Sequence, residues 1–175
     1  MNLIIHDLPT LPERILPHEL RDETFIVADK GKTGGSIRPC KGCFGCWIKT
    51  PSQCTIHDGY ENMGALLSKS QRMMIISRCC YGGYSPFVTH VMNRSIPYIL
   101  PYFTIRNHET HHAARHDNRL RLEAHLYGET TERERMTAQK LVRANGVNIL
   151  AQEANVHFYA NENEIGEVLS CGSAL

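Results

Sequence analysis

Met73-Met74-Ile75-Ile76, running into Ser77-Arg78-Cys79-Cys80-Tyr81-Gly82-Gly83-Tyr84 and then Ser85-Pro86, is the stretch that decides the fold. Four consecutive apolar residues bury both faces of a strand, as a central strand of a parallel sheet does. The two glycines break that run. Ser85-Pro86 reads as an N-cap with proline at the first helical position, and Val88, Val91 and Met92 continue it as an apolar stripe. Strand, glycine turn and helix, in that order, make half of a parallel crossover. The turn falls at the carboxyl edge, where open α/β sheets hold their ligands.

Outward from this centre the same grammar repeats. Leu3-Ile4-Ile5 and Thr24-Phe25-Ile26-Val27-Ala28 read as strands. Arg121 to Tyr127 alternates, with Leu122, Ala124 and Leu126 on one side, and Val156 to Ala160 supplies a fifth strand. Asp58 with Glu61 has the form of a capping box ahead of Met63, Leu66 and Leu67. Thr131 with Glu134 forms another, opening a helix through Met136, Ala138, Leu141 and Val142 to a stop at Asn145-Gly146. Alternating strands and helices predict an α/β domain with a mainly parallel sheet. The tail after Ala160 is expected as a last helix or a loose end. At 175 residues the chain is long enough for one full core. It is read as a single domain over 1–175, with a cysteine loop at about 38–56 and a long loop at about 97–119.

A formal net charge of +1 gives no reason to expect nucleic acid or a membrane surface as partner. No apolar run approaches bilayer length, and the first strand begins too close to Met1 for a targeting segment. Seven cysteines, an odd number and clustered, point to a reducing compartment with metal or redox chemistry, so the chain is expected to be cytoplasmic.

Four of those cysteines, Cys40, Cys43, Cys46 and Cys54, read C-x2-C-x2-C-x7-C. Two short spacers gather three thiols, and the longer one, broken by Pro51, lets a fourth fold back. Four converging thiolates hold an iron–sulfur cluster or a tetrahedral zinc; the compact triplet favours iron–sulfur, and free thiols or a disulfide remain open. Cys79-Cys80-Tyr81-Gly82-Gly83 gives a backbone able to lie against a planar ring, with Tyr81 or Tyr84 to stack on it. The tract His108 to Asp117 is metal-like in composition, and His112 and His116 have i, i+4 spacing. No glutamate sits between them as in a zinc protease helix, so a solvated or subunit-contacting loop is expected there. Tyr98, Tyr102 and Phe103 beside Pro97 and Pro101 offer an apolar surface for a dimer contact. No Ser/His/Asp set, P-loop or paired carboxylates stand out, so no catalytic residue is assigned.

These segments resemble the flavodoxin-like NAD(P)H-dependent FMN reductase family, in particular its iron–sulfur flavoprotein branch. The likeness is carried by Pro39 to Pro51 with Cys54, by Ser77 to Pro86, and by the segment from Pro101 to Gly128. The resemblance implies a three-layer sandwich with strand order 2-1-3-4-5, and FMN at the carboxyl edge with NAD(P)H as donor. It further implies a homodimer or higher homo-oligomer. Arg78, Cys79, Cys80, Tyr81, Gly82 and Gly83 would wall the flavin ring, with Tyr127 and Gly128 as a second wall. Cys40, Cys43, Cys46 and Cys54 would hold a cluster. One stretch departs from the family. After the first strand, where the family places a small, hydroxyl-rich phosphate turn, this chain has His6-Asp7-Leu8-Pro9-Thr10-Leu11-Pro12. The prolines remove donors and Asp7 repels phosphate. The connection to the second strand is also short, so the first crossover helix is expected to be shortened or missing. Arg14, Arg38 or Arg78 could replace the lost donors. A relative that keeps the fold without flavin, as a binding or scaffold protein, is the alternative.

Overall fold

In the computed structural model the described residues are 1–16, 21–29 and 36–171, with side chains described as far as 166. Five parallel strands form the sheet: β1 (Asn2–His6), β2 (Thr24–Ala28), β3 (Arg72–Arg78), β6 (Arg121–Tyr127) and β7 (Glu153–Tyr159). Their order, β2-β1-β3-β6-β7, is the expected 2-1-3-4-5 with two further strands inserted between the third and the fourth. All four pairings are parallel. In register they align Ile5 with Val27 and Ile75, and Ile75 with Ala124.

The alternation within each strand sorts the core into two layers. After the one-turn helix α1 (Gly45–Ile48) come α2 (Met63–Ser68), α3 (Pro86–Arg94) and α4 (Glu132–Asn148), and Leu3, Ile5, Val27, Met73, Ile75, Leu122, Ala124 and Leu126 face these three. Ile4, Met74 and Ile76 face the other way, toward Leu8, Ile15 and Leu16 and toward Ile165 of α5 (Glu162–Cys171). The apolar tetrad Met73–Ile76 is thus split between two cores, which is why it could not alternate.

Local signals fare unequally. Ser85 Oγ accepts from Val88 N at 3.5 Å, and Thr131 with Glu134 forms a complete capping box, both as expected. Asp58 with Glu61 does not start a helix. Glu61 accepts from Asp58 N and Gly59 N within a turn, and the helix begins at Met63. The Asp58 carboxylate is committed to Arg94 instead. The Asn145-Gly146 stop is also overridden, because α4 runs to Asn148. Gly146 serves there as a contact: a Cβ on it would stand 2.5 Å from Ala154 Cβ of β7. Helix and sheet approach too closely at that point for any side chain. Among the described residues of the connection from β1 to β2, 7–16 carry turns, such as Ile15 N to Pro12 O, and no helix; 17–20 lie outside them.

The segment expected as a long loop is built as a β-hairpin, β4 (Ile99–Arg106) and β5 (Glu109–Ala114). Its two-residue turn, Asn107-His108, has φ of 49° and 66°, the left-handed pair that matches strand twist. Tyr98, expected at the surface, is only 2% exposed and donates its hydroxyl to Asn118 Oδ1 at 2.9 Å. Tyr102, Phe103 and Ile105 do lie on the surface.

A polar strap crosses the outer face near β6. Arg72 donates to both oxygens of Glu123, at 3.1 and 2.6 Å, and His125 Nε2 lies 3.8 Å from Glu123 Oε2. His125 and then Arg72 hold the Glu123 carboxyl at about 2, against the burial that pushes it up. The unfolded chain protonates this group near pH ~4.3. Its contribution to stability is therefore full above that value and lost as pH falls through about 2. Glu123→Gln is expected to be less stable than wild type near neutrality, with the gap closing between those two values. Unfolding curves across that range test this, and a constant gap contradicts it.

Candidate functional site

The tips of β1, β3 and β6 meet at the carboxyl edge, at the switch point where the chain order reverses between β1 and β3. Cys79 N donates to Tyr127 O at 2.9 Å, extending the β3–β6 ladder by one residue. The chain then folds into a tight turn, with Cys80 and Gly83 bonded to each other in both directions. Tyr81 and Gly82 at its apex have φ of 53° and 79°. Gly82 suits this place for two reasons. Its backbone is left-handed, and a Cβ would stand 2.7 Å from both Glu134 O and Thr137 Cβ at the start of α4. The turn is thereby pinned to the helix while Tyr81 stands 93% exposed at the rim. Arg78, Cys79, Cys80, Tyr81, Gly82 and Gly83 thus form one continuous wall. Gly128, with φ of 107°, faces it across the tip of β3, its Cβ position 3.9 Å from Arg78 Cγ. The sequence-derived ring-wall residues are gathered at one edge.

Beside this turn the chain places a carboxylate of its own. Asp7 Oδ2 accepts from Arg78 N at 2.9 Å and lies 3.4 Å from Ser77 Oγ, while Asp7 Oδ1 accepts from the Tyr127 hydroxyl at 3.1 Å. Burial first, and the Asp7 charge second, raise the Tyr127 phenol above its ordinary range. The fit to FMN is divided: the residues expected to wall the ring lie at one edge, while the turn after β1 places the Asp7 carboxylate there, a charge that opposes a phosphate. Of the three arginines weighed as substitutes, Arg14 is drawn to Asn163 and packs on Gly166, and Arg38 is drawn to His57 O and Asp58. Arg78 ends β3 at the carboxyl edge and is exposed.

The cysteine loop lies elsewhere. Ser85, which caps α3, donates its N–H to Ser77 Oγ at the tip of β3, so the helix starts at the carboxyl edge. Nine residues later, roughly 13 Å along the axis, Arg94 ends the helix against the loop. Arg94 is 1% exposed. Its guanidinium grips Asp58 through both nitrogens at 2.9 and 3.1 Å and donates to Arg38 O and Ile56 O. Burial pushes the Asp58 carboxyl up, but Arg94 and the amides of Arg38 and Tyr60 outweigh it and hold the group below the usual range.

Above this clasp Cys40, Cys43, Cys46 and Cys54 line one small pocket with Arg94, Trp47 and Pro97. Cys40 and Cys43 are exposed, Cys46 and Cys54 buried, and none is in a disulfide. Among the described residues, no three His, Cys, Asp or Glu side chains are placed to hold a metal ion. The thiols share a pocket without converging, so the cluster implied by the resemblance has no ready donor set here. The thiols differ sharply. The Gly45 N–H, the Thr55 hydroxyl and Lys41 hold the Cys43 thiol below its ordinary value, while burial raises Cys46. Gly45 permits this arrangement, since a Cβ there would stand 2.6 Å from Thr55 Cγ2. Its N–H belongs to a tight bend made by Phe44, a bulky residue at φ 56°.

The histidine tract makes no common site. It is strand rather than helix, so His112 and His116 lack the geometry their spacing suggested. His111 contacts Glu109 at 3.1 Å, His112 pairs with Leu100 O and packs against Trp47 and Phe103, and His116 stacks on Tyr98. Trp47 also donates to Ile99 O at 3.0 Å, which joins hairpin and cysteine loop into one lobe. Composition alone could not foresee this joining.

No protein-family model matches the chain, and no curated protein matches it in sequence. Solved structures do match its fold. An azoreductase from Bacillus anthracis str. Sterne aligns over 97% of this chain and 99% of its own, at 8% identity and a TM-score of 0.58. The azoreductase AzrA covers 98% and 100%, at 9% identity and a TM-score of 0.53. An FMN-dependent NADH-azoreductase from Bacillus anthracis str. Ames Ancestor, solved in complex with FMN, covers 97% and 93%, at 11% identity and a TM-score of 0.54. At such identities the likeness is one of architecture, and nothing in it or in the thiol geometry carries the narrower iron–sulfur branch. The parallel five-stranded core, its strand order and these whole-length superpositions together make the chain a flavodoxin-like α/β protein.

Proposed function

We propose that this chain is a flavin-dependent reductase, with Arg78 to Gly83 and Tyr127-Gly128 holding the ring at the carboxyl edge of the sheet. The observation that carries this reading is the turn at Cys80–Gly83. It is fixed by Gly82 against α4, leaves Tyr81 at the rim, and stands at the switch point of a fold shared with an FMN-bound azoreductase. Bound flavin would supply two-electron transfer from NAD(P)H to an acceptor. The chain's own contribution is to orient the ring, exclude water beneath it, and set the charge beside it through Arg78 and Asp7. Assembly into a homodimer in a reducing, cytoplasmic setting belongs to the same reading; exposed Tyr102, Phe103 and Ile105 supply apolar area for the contact.

An iron–sulfur cluster is not part of this reading, because the thiols do not converge. A second reading, a flavin-free scaffold, is favoured by one specific observation, the Asp7 carboxylate seated on Arg78 N. Turnover separates the two. Purified protein supplied with flavin under anaerobic conditions should oxidise NADH or NADPH when an azo or quinone acceptor is added. No oxidation above the free-flavin rate, with no flavin retained on gel filtration, leaves the scaffold reading standing.

A further inference from the structure

We infer that Cys43 and the buried Cys46 form a dithiol–disulfide exchange centre, away from the carboxyl edge, that takes disulfides as its substrate. This goes beyond the flavin reading and does not rest on it. The two cysteines divide the roles such a centre needs. Cys43 is exposed, with its sulfur 3.6 Å from Thr55 Oγ1 and within reach of the Gly45 N–H. Those groups can hold the sulfur as thiolate, the form that attacks. Cys46 stands three residues on and is shielded from solvent, so it meets only a partner already joined to Cys43. Between them Phe44 adopts a left-handed backbone, which is costly for a bulky side chain and common where a loop must present a reactive group.

Second, the pocket is built. Arg94 lines it, its guanidinium lies against Cys54, and its buried Nε–H has no hydrogen-bond partner. Phe44, Trp47 and Ile96 continue from it into an apolar hollow completed by Ile48, Pro101 and Phe103. That hollow suits the apolar flank of a disulfide, while the Cys43 side remains open to water. The convergence a metal needs is missing, yet a pairwise exchange needs only two of the four sulfurs.

The chemistry balances as follows. The Cys43 thiolate attacks one sulfur of a substrate disulfide, the substrate S–S bond breaks, and the departing thiolate takes a proton from water. The Cys46 thiol, giving its proton to solvent, attacks the Cys43 sulfur of the mixed disulfide and expels the second substrate thiol. The substrate gains two electrons and two protons, and the protein carries a Cys43–Cys46 disulfide. Two equivalents of a monothiol of the glutathione class restore the dithiol, becoming a disulfide themselves.

Reduced full-length protein, as purified and without added metal, would be mixed anaerobically with oxidised glutathione, quenched with acid and mapped by mass. The wild type should lose two hydrogens, with Cys43 and Cys46 linked. Cys46→Ser should instead accumulate one glutathione on Cys43, and Cys43→Ser should react at least about tenfold more slowly. Cys43 is at the surface, so its serine variant keeps the core; limited alkylation of wild type, expected to label Cys43 first, reads the same role without mutation. An unchanged rate in Cys43→Ser overturns the inference, as does an adduct trapped on Cys40 or Cys54. Thiols made silent by stoichiometric bound iron or zinc also overturn it. None of these outcomes depends on flavin, so failure here is distinct from failure of the reductase reading.

Discussion

Arg94→Leu should cost about 3–5 kcal/mol of stability and expose Cys46 and Cys54 to alkylation while the sheet stays folded. The guanidinium ties α3, the Arg38 and Ile56 carbonyls and both oxygens of Asp58 to one point. Leucine fills part of the space but leaves Asp58, whose side chain is 9% exposed, without its bidentate partner. The penalty is chiefly the poorly compensated charge, left with Arg38 and the amides of Arg38 and Tyr60, together with the Arg38 and Ile56 carbonyls that lose their donor. Asp58→Asn should therefore cost less than Arg94→Leu, and the double variant Arg94→Leu with Asp58→Leu should recover part of the loss. Chemical denaturation with thiol counting reads both effects. A change under about 1 kcal/mol, with the buried thiols still protected, would contradict the clasp.

Gly82→Val carries the second largest expectation. The new side chain must occupy a left-handed backbone, at a cost of about 1–3 kcal/mol. It must also push away Glu134 O and Thr137, each 2.7 Å from its first carbon. Glu134 N and its carboxylate complete the cap of α4, so the strain enters the helix at its first turn. Overpacking adds a comparable amount, about 1–3 kcal/mol. The turn should lift from the helix, and flavin affinity should fall with stability. Gly83→Ala is the control. A Cβ there meets only Cys80 O, at 3.3 Å, so it should be milder on both counts. If Gly82→Val keeps wild-type stability, the turn is not pinned as described.

Much of the fold was legible because the sheet's demands are periodic. The Met73–Ile76 run and the alternating Leu122, Ala124 and Leu126 each state how many faces they bury, and chain alternation then forces parallel order. What escaped was decided by contacts between distant segments. Asp58 looked like a cap because Glu61 follows it at the right interval, but Arg94, 36 residues on, takes hold of both its oxygens. Gly146 looked like a stop until Ala154 required it as a spacer. The hairpin turn Asn107-His108 lacks the glycine that usually announces one, and its histidines drew attention to metal instead.

The site was half legible for the same reason. The glycine turn after β3 lies in one contiguous stretch, and its position follows from the strand before it. The departure of the turn after β1 was also visible in its prolines and Asp7. That Asp7 would reach Arg78 N and Tyr127 depends on three strand tips meeting, which no local pattern encodes. Likewise the four cysteines share a pocket, but Arg94, from a distant helix, is part of its lining, and their spacing does not say that Cys46 and Cys54 are the buried pair.

The proposed site holds a flavin ring without an ordinary phosphate position, and a paired flavin titration reads both halves of that proposal at once. Fluorescence quenching of FMN and of riboflavin should give dissociation constants within about tenfold of each other, because the phosphate gains little from a closed turn. Asp7→Asn should tighten FMN by a factor on the order of ten and leave riboflavin nearly unchanged, as expected when one like charge is removed beside a phosphate. Failure of both flavins to bind, in wild type and in Asp7→Asn alike, would contradict the account.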